Sequence, residues 1–196
     1  KIDGYLRTRD VCYLKSAEEL YKNNKARNQN SLIHEFYDDM LWNALAALRL
    51  YNLTKEELYL TDAKMVCLDI FETAWNQEVG GGFAWKRTMP YYKNTPVNAP
   101  IIMLALRLYQ IEHEQIYVDK SVETLQWLEK TLVHSKTRFV EDGINRTQDG
   151  KIDTQWTFTY NQGIYIGALL EFYQLTQEEQ YLQKALQCAN TSIQEF

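Results

Sequence analysis

The sequence predicts an all-α fold, a toroid or solenoid of helical hairpins, and three observations predict it. A segment recurs three times without gaps: Tyr51-Asn-Leu-Thr-Lys-Glu-Glu-Leu-Tyr59, Tyr109-Gln-Ile-Glu-His-Glu-Gln-Ile-Tyr117 and Tyr173-Gln-Leu-Thr-Gln-Glu-Glu-Gln-Tyr181. The stretch before each copy is apolar almost all round, and the stretch after it is amphipathic. Buried and half-exposed helices that alternate at a fixed repeat form stacked hairpins, each covering the apolar face of its neighbour.

The elements follow in order. A first helix is expected from about Arg9 to Asn23, with Val11, Leu14 and Tyr21 on its apolar side. The first inner helix, Met40 to Tyr51, carries only Asn43 and Arg49 as polar residues; the second, Pro100 to Tyr109, only Arg107; the third, Gly163 to Tyr173, only Glu171. Arg49, Arg107 and Glu171 each stand two places before the junction tyrosine, where each inner helix is expected to reach water. The outer helices keep a period of about 3.6: Tyr59, Ala63, Val66, Cys67 and Ile70; then Tyr117, Ser121, Thr124, Leu125 and Leu128; then Tyr181, Ala185, Cys188, Ala189 and Ile193. Short inner-to-outer turns make each pair antiparallel. The pattern yields about seven helices, whereas a closed ring of six pairs needs twelve. Residues 1–196 therefore read as one partial domain, the first half of a larger ring or a truncated one.

Bulk properties narrow the function. The chain has 196 residues, enough for a sizeable core, and its net charge of −5 comes with no cluster of Lys or Arg. Nucleic acid and anionic membrane surfaces are thereby excluded as expected partners, and no apolar stretch is long enough to span a bilayer. Cys12, Cys67 and Cys188 are odd in number and unpatterned, so they are expected to be small buried hydrophobes, a usage that favours the cytoplasm. No signal peptide is visible at Lys1. His34, His113 and His134 are scattered, so no metal site and no cofactor are expected. Gly80-Gly81-Gly82 lacks a following Gly-Lys-Ser/Thr and reads as a tight turn that permits close backbone approach.

The outer-to-inner connections are long, and the unusual residues collect there. Parallel inner helices place the ends of these connections on one rim, the usual place for functional loops. Asp38 and Asp39 stand at the first inner helix N-terminus. Capping and the helix macrodipole account for one of them. Two side by side against a core cost repulsion and desolvation, which separates their pKa values. One ionised and one protonated carboxyl is what glycoside hydrolysis uses. Tyr91-Tyr92-Lys93-Asn94-Thr95-Pro96-Val97-Asn98 and Thr159-Tyr160-Asn161-Gln162-Gly163 open the second and third inner helices. Their aromatics and amides suit sugar rings and hydroxyls, and they equally suit turns and caps.

Four motifs in order resemble glycoside hydrolase family 76, the α-1,6-mannanase family: Tyr37-Asp38-Asp39-Met40-Leu41-Trp42, Gly80-Gly81-Gly82 with Trp85, Tyr92-Lys93-Asn94-Thr95-Pro96-Val97-Asn98, and Thr159-Tyr160-Asn161-Gln162-Gly163. The resemblance runs from about Phe36 to the end. It implies an (α/α)6 barrel and retaining endo-cleavage of α-1,6-mannosidic bonds in α-mannan or a related surface glycan, without metal or organic cofactor. It also implies secretion, against the cysteine usage. Carried over, Asp38 is the nucleophile and Asp39 the general acid/base. Lys93, Asn94, Asn98, Tyr160, Asn161 and Gln162 line the sugar subsites, and Trp85 is a stacking platform. The family domain is nearly twice this length, and Trp42-Asn43 replaces a common second aromatic. Two other readings remain: a sugar epimerase on the same toroid, which would lean on histidine, and a non-catalytic helical-repeat scaffold.

Overall fold

Each repeat copy turns at a single left-handed residue. Lys55, His113 and Gln177 have φ of 61°, 61° and 58°. Their backbone N–H groups donate to the carbonyls of Tyr51, Tyr109 and Tyr173 at 2.8, 2.9 and 2.9 Å. One αL residue closes a helix C-terminus and reverses the chain at once, so the next helix returns along the one it left.

The computed structural model describes all residues, Lys1–Phe196. It contains α1 (Ile2–Thr8), α2 (Val11–Arg27), α3 (Tyr37–Thr54), α4 (Glu57–Thr73), α5 (Thr95–Glu112), α6 (Gln115–Thr131), α7 (Thr159–Thr176) and α8 (Glu179–Glu195). The inner helices are α3, α5 and α7, with α5 packed between the other two, and α4, α6 and α8 are their outer partners. Two apolar clusters share α5. One joins it to α2, α3 and α4, and the other to α6, α7 and α8. No helix is long and apolar enough to cross a membrane.

The expected seven helices become eight because α1 ends in a fourth copy of the junction. Arg9 is left-handed (φ 62°), its N–H donates to the Tyr5 carbonyl at 2.8 Å, and Tyr5 and Tyr13 keep the spacing of Tyr51 and Tyr59. Thr8, Thr54 and Thr176 repeat as well. Each hydroxyl donates to the carbonyl four residues back and accepts the N–H of Asp10, Glu56 or Glu178, at 3.2 Å each. The inner charges do not simply reach water. Glu171 is buried and pairs with Arg107 at 2.6 Å, tying α7 to α5, and Arg49 pairs with Asp3 of α1. Cys67 and Cys188 lie in the core as expected, but Cys12 is exposed on the outer side of α2.

The all-helical expectation misses one small feature at the rim. Strands β1 (Ala84–Lys86), β2 (Met89–Asn94) and β3 (Gly143–Ile144) form an antiparallel sheet in the order β1-β2-β3, with Lys93 opposite Ile144. Gly143 is needed there, since a Cβ would collide with the Tyr92 hydroxyl. The glycine triplet makes the close approach its sequence implied. Gly80, Gly81 and Gly82 have φ of 80°, 123° and 83°, and a Cβ on Gly82 would meet the Trp127 indole at 2.7 Å. Gly82→Ala should therefore combine left-handed strain with overpacking and destabilise the fold by about 3 kcal/mol. Thermal unfolding checks this, and a melting temperature equal to wild type would refute it.

Candidate active site

The second residue of each inner helix faces one cleft. The first helical residues are Tyr37, Thr95 and Thr159, so Asp38, Pro96 and Tyr160 occupy equivalent places. All three line a cleft of about 200 Å³, joined by Trp85, Tyr92 and Asn94 from β1 and β2 and by Asp142, Arg146, Trp156 and Phe158 from the connection between α6 and α7. The expected convergence of three connections on one rim is realised.

Asp38 is half-buried. Its Oδ2 accepts the Trp85 indole N–H at 3.0 Å and its Oδ1 the Asp39 backbone N–H at 3.0 Å. Neither aspartate is the helix cap; Phe36 holds that place and makes no side-chain cap bond. Burial raises the pKa of Asp38, the Trp85 hydrogen bond opposes the rise, and the Asp39 charge adds to it. Asp39 is exposed and lines a neighbouring polar hollow with Asn24, Asn28, His34 and Asn43. The adjacent carboxylates thus face different surroundings, because successive helical residues point about 100° apart. No histidine lines the cleft, and no group of His, Cys, Asp and Glu converges to hold a metal.

Of the other residues singled out by sequence, Trp85, Asn94 and Tyr160 reach the cleft. Asn94 is buried, and its Oδ1 has no hydrogen-bond partner. Burial pushes the exposed-edged Tyr160 phenol up to about 12, with the Asp142 and Asp38 charges acting the same way. Trp85 donates to Asp38 and meets Tyr92 and Phe36 edge-on at 5.7 and 5.5 Å, so it is packed as a support for the carboxylate.

Lys93, Asn98, Asn161 and Gln162 lie behind the cleft wall. Asn98 grips the backbone of Phe83: its Oδ1 accepts the N–H at 2.8 Å and its Nδ2 donates to the carbonyl at 2.9 Å. Gln162, at the equivalent place in α7, grips Val140 in the same way, at 2.9 and 2.7 Å. Their polar atoms are already occupied and fully enclosed, so they hold the scaffold. Two residues beyond each gripped residue stand Trp85 and Asp142, both in the cleft. Asn161 is fully buried and donates to Asp142 at 3.0 Å. Lys93 is fully buried, and its Nζ donates to Asn76 Oδ1 and to the Gly82 carbonyl, both at 2.7 Å.

Sequence reasoning named Tyr92 only as part of an aromatic motif and missed Asp142, Arg146, Trp156 and Phe158 as site residues. The repeat held a usable signal. Counted back from Tyr51, Tyr109 and Tyr173, Asn98 and Gln162 share the register of Met40, a core residue, while Tyr160 shares that of Asp38. Asp142, Arg146 and Trp156 come from a long connection with no repeat counterpart, and only folding brings them together.

The cleft thus combines a half-buried carboxylate with aromatic side chains on the rim of stacked helical hairpins. The model of glycosyl hydrolase family 76 matches residues 2–196, and the chain belongs to that family. The Lin0763 protein from Listeria innocua is 53% identical with a TM-score of 0.96, covering 98% of this chain and 55% of that one. The GH76A α-1,6-mannanase from Salegentibacter sp. HEL1_6 is 37% identical with a TM-score of 0.90, covering 97% and 56%. An inactive variant of that mannanase, with two consecutive aspartates replaced by alanine, is known in complex with α-1,6-mannotetrose. Among curated proteins, the mannan endo-1,6-alpha-mannosidase DCW1 from Candida glabrata is 31% identical over 129 residues, 61% of this chain and 28% of the relative. The chain spans about half the length of these solved proteins and 28% of that curated one.

The buried polar residues generate two predictions. Gln162→Leu should leave the Val140 N–H and carbonyl unpaired and cost about 3 kcal/mol of stability; denaturant unfolding measures it, and an unchanged midpoint would contradict the clamp. For Lys93, burial lowers the amine to about 7, with the Glu78 charge opposing. The unfolded chain, with an ordinary lysine pKa of about 10.4, binds more protons than the folded one between about pH 7 and 10, so this residue's contribution to stability rises with pH across that window. Urea unfolding at the two ends of the window should show a larger increase for wild type than for Lys93→Met; equal increases would mean that the amine is charged in the fold.

Proposed function

We propose that this chain carries the catalytic aspartates of a retaining, endo-acting α-1,6-mannosidase. The observation that carries the reading is Asp38: a half-buried carboxylate at the base of an aromatic cleft, followed directly by a second, exposed carboxylate. The inactivity of the Salegentibacter mannanase variant lacking two consecutive aspartates supports it, as do the curated α-1,6-mannosidases among the relatives.

Asp38 is the nucleophile. Two N–H donors, one on each oxygen, fix its carboxylate plane and oppose the rise that burial and the Asp39 charge impose on its pKa. It attacks the anomeric carbon and forms a glycosyl ester, while Asp39 gives its proton to the departing glycosidic oxygen. Asp39 then takes a proton from water, which hydrolyses the ester and releases a product of the original configuration. The Asp39 side chain lies toward solvent, where a leaving group and then a water have access. Asn94 Oδ1 accepts from a sugar hydroxyl, and Tyr160 and Trp156 offer ring faces to the glycan.

The two aspartates are separated by azide rescue in the full-length protein. Asp38→Ala should be inactive on an activated α-mannoside and yield the β-mannosyl azide when azide is added, because azide replaces the nucleophile. Asp39→Ala should yield the α-mannosyl azide, because azide opens the ester already formed. Substantial α-1,6-mannan cleavage by either variant without azide would remove the assignment, and exchanged azide anomers would reverse the two roles.

A further inference from the structure

The connection between α6 and α7 contributes a part of the cleft that the two aspartates do not use. The Arg146 guanidinium lies between two aromatic faces, 4.2 Å from the Tyr92 ring centre and 4.1 Å from that of Trp156. Its Nε donates to Asp153 Oδ2 at 2.9 Å, and its Nη2 donates to Asp142 Oδ2 at 3.1 Å and to the Tyr92 hydroxyl. Its Nη1 makes no hydrogen bond within the protein, although Arg146 lines the cleft. Trp156 is 43% exposed, with the Arg146 guanidinium over its ring.

These features constrain a ligand. A ring held rigid before binding stacks on a sugar with little loss of side-chain freedom. Arginine presents its donors in a fixed plane, so the free edge of Nη1 is aimed without reorganisation. The charge of Arg146 is already offset by Asp142 and Asp153, and Asp38 lines the same cleft. A phosphate or uronate would be repelled by the Asp38 and Asp142 carboxylates that line the cleft, whereas neutral hydroxyls would not.

We propose that Arg146 and Trp156 form a specificity-determining subsite for a neutral hexopyranose unit of the glycan, next to the unit that Asp38 attacks. The indole face carries the sugar ring, and the Nη1 N–H groups donate to adjacent hydroxyl oxygens. The proposal rests on the glycan-cleaving reading above and adds residues from a connection outside the paired-aspartate motif.

The test is kcat/KM on α-1,6-mannohexaose for the full-length protein and for Trp156→Ala, Trp156→Phe and Arg146→Lys. Trp156→Ala and Arg146→Lys should each lower it by about tenfold, mainly through KM, and Trp156→Phe should keep most of it. Trp156 is exposed, so its variants keep the fold even if Arg146→Lys disturbs the Asp142 network; circular dichroism verifies this. Wild-type cleavage with Trp156→Ala within about twofold of it would overturn the subsite and leave the α-mannosidase reading intact. Failure of wild type to cleave the hexaose would overturn that reading, and the subsite with it.

Discussion

The cleft depends on two buried amides. Asn98 and Gln162 each grip one residue of an incoming connection by its N–H and its carbonyl, as a neighbouring strand would. A buried backbone pair without such a partner is costly, so each connection is pinned at one place over its inner helix. Because Trp85 and Asp142 follow the pinned residues by two places, both are delivered to the same wall. Trp85 in turn holds Asp38, and Asp142 holds Tyr92, Arg146 and Asn161. The chemistry on the rim is therefore set by polar contacts beneath it.

The helices make that arrangement possible by dividing labour between the two ends of the toroid. At one end, each hairpin closes on a single left-handed residue, with Thr8, Thr54 and Thr176 bridging the turn. The connections there are too short to form loops. At the other end the connections are long enough to form a sheet, a glycine turn packed on Trp127 and the cleft itself. Lys93 joins these parts by donating to the Gly82 carbonyl from β2. Its fully enclosed amine is an expensive choice at this position, and it fixes the glycine turn to the strand that carries Tyr92 and Asn94.

Much of this was legible in the sequence, for physical reasons. Period and apolarity gave the inner and outer helices, since a helix apolar all round has to be covered by neighbours. The junction tyrosines gave the hairpins, and Asp38-Asp39 stood out because a cap could account for one carboxylate at most, although in the fold Phe36 holds the cap and neither aspartate does. The same reasoning placed Asn98, Gln162 and Lys93 among the sugar-lining residues, whereas in the fold they lie behind the cleft wall with backbone partners. An amide that binds a backbone and an amide that binds a sugar are the same residue, and only burial tells them apart. Arg146 and Trp156 were hidden because their meaning lies in a sandwich with Tyr92, more than fifty residues away. The first junction was missed because α1 is too short to display a period.

Every role proposed for the cleft requires glycan to bind between Asp38 and Trp156. That requirement is tested most directly by a crystal structure of the full-length protein, with both Asp38 and Asp39 replaced by asparagine, bound to α-1,6-mannotetraose. One mannose unit is expected with its anomeric carbon over the substituted side chain at position 38, and a neighbouring unit against Trp156 within reach of Arg146 Nη1. An oligosaccharide found instead at the tight-turn end of the inner helices would overturn it.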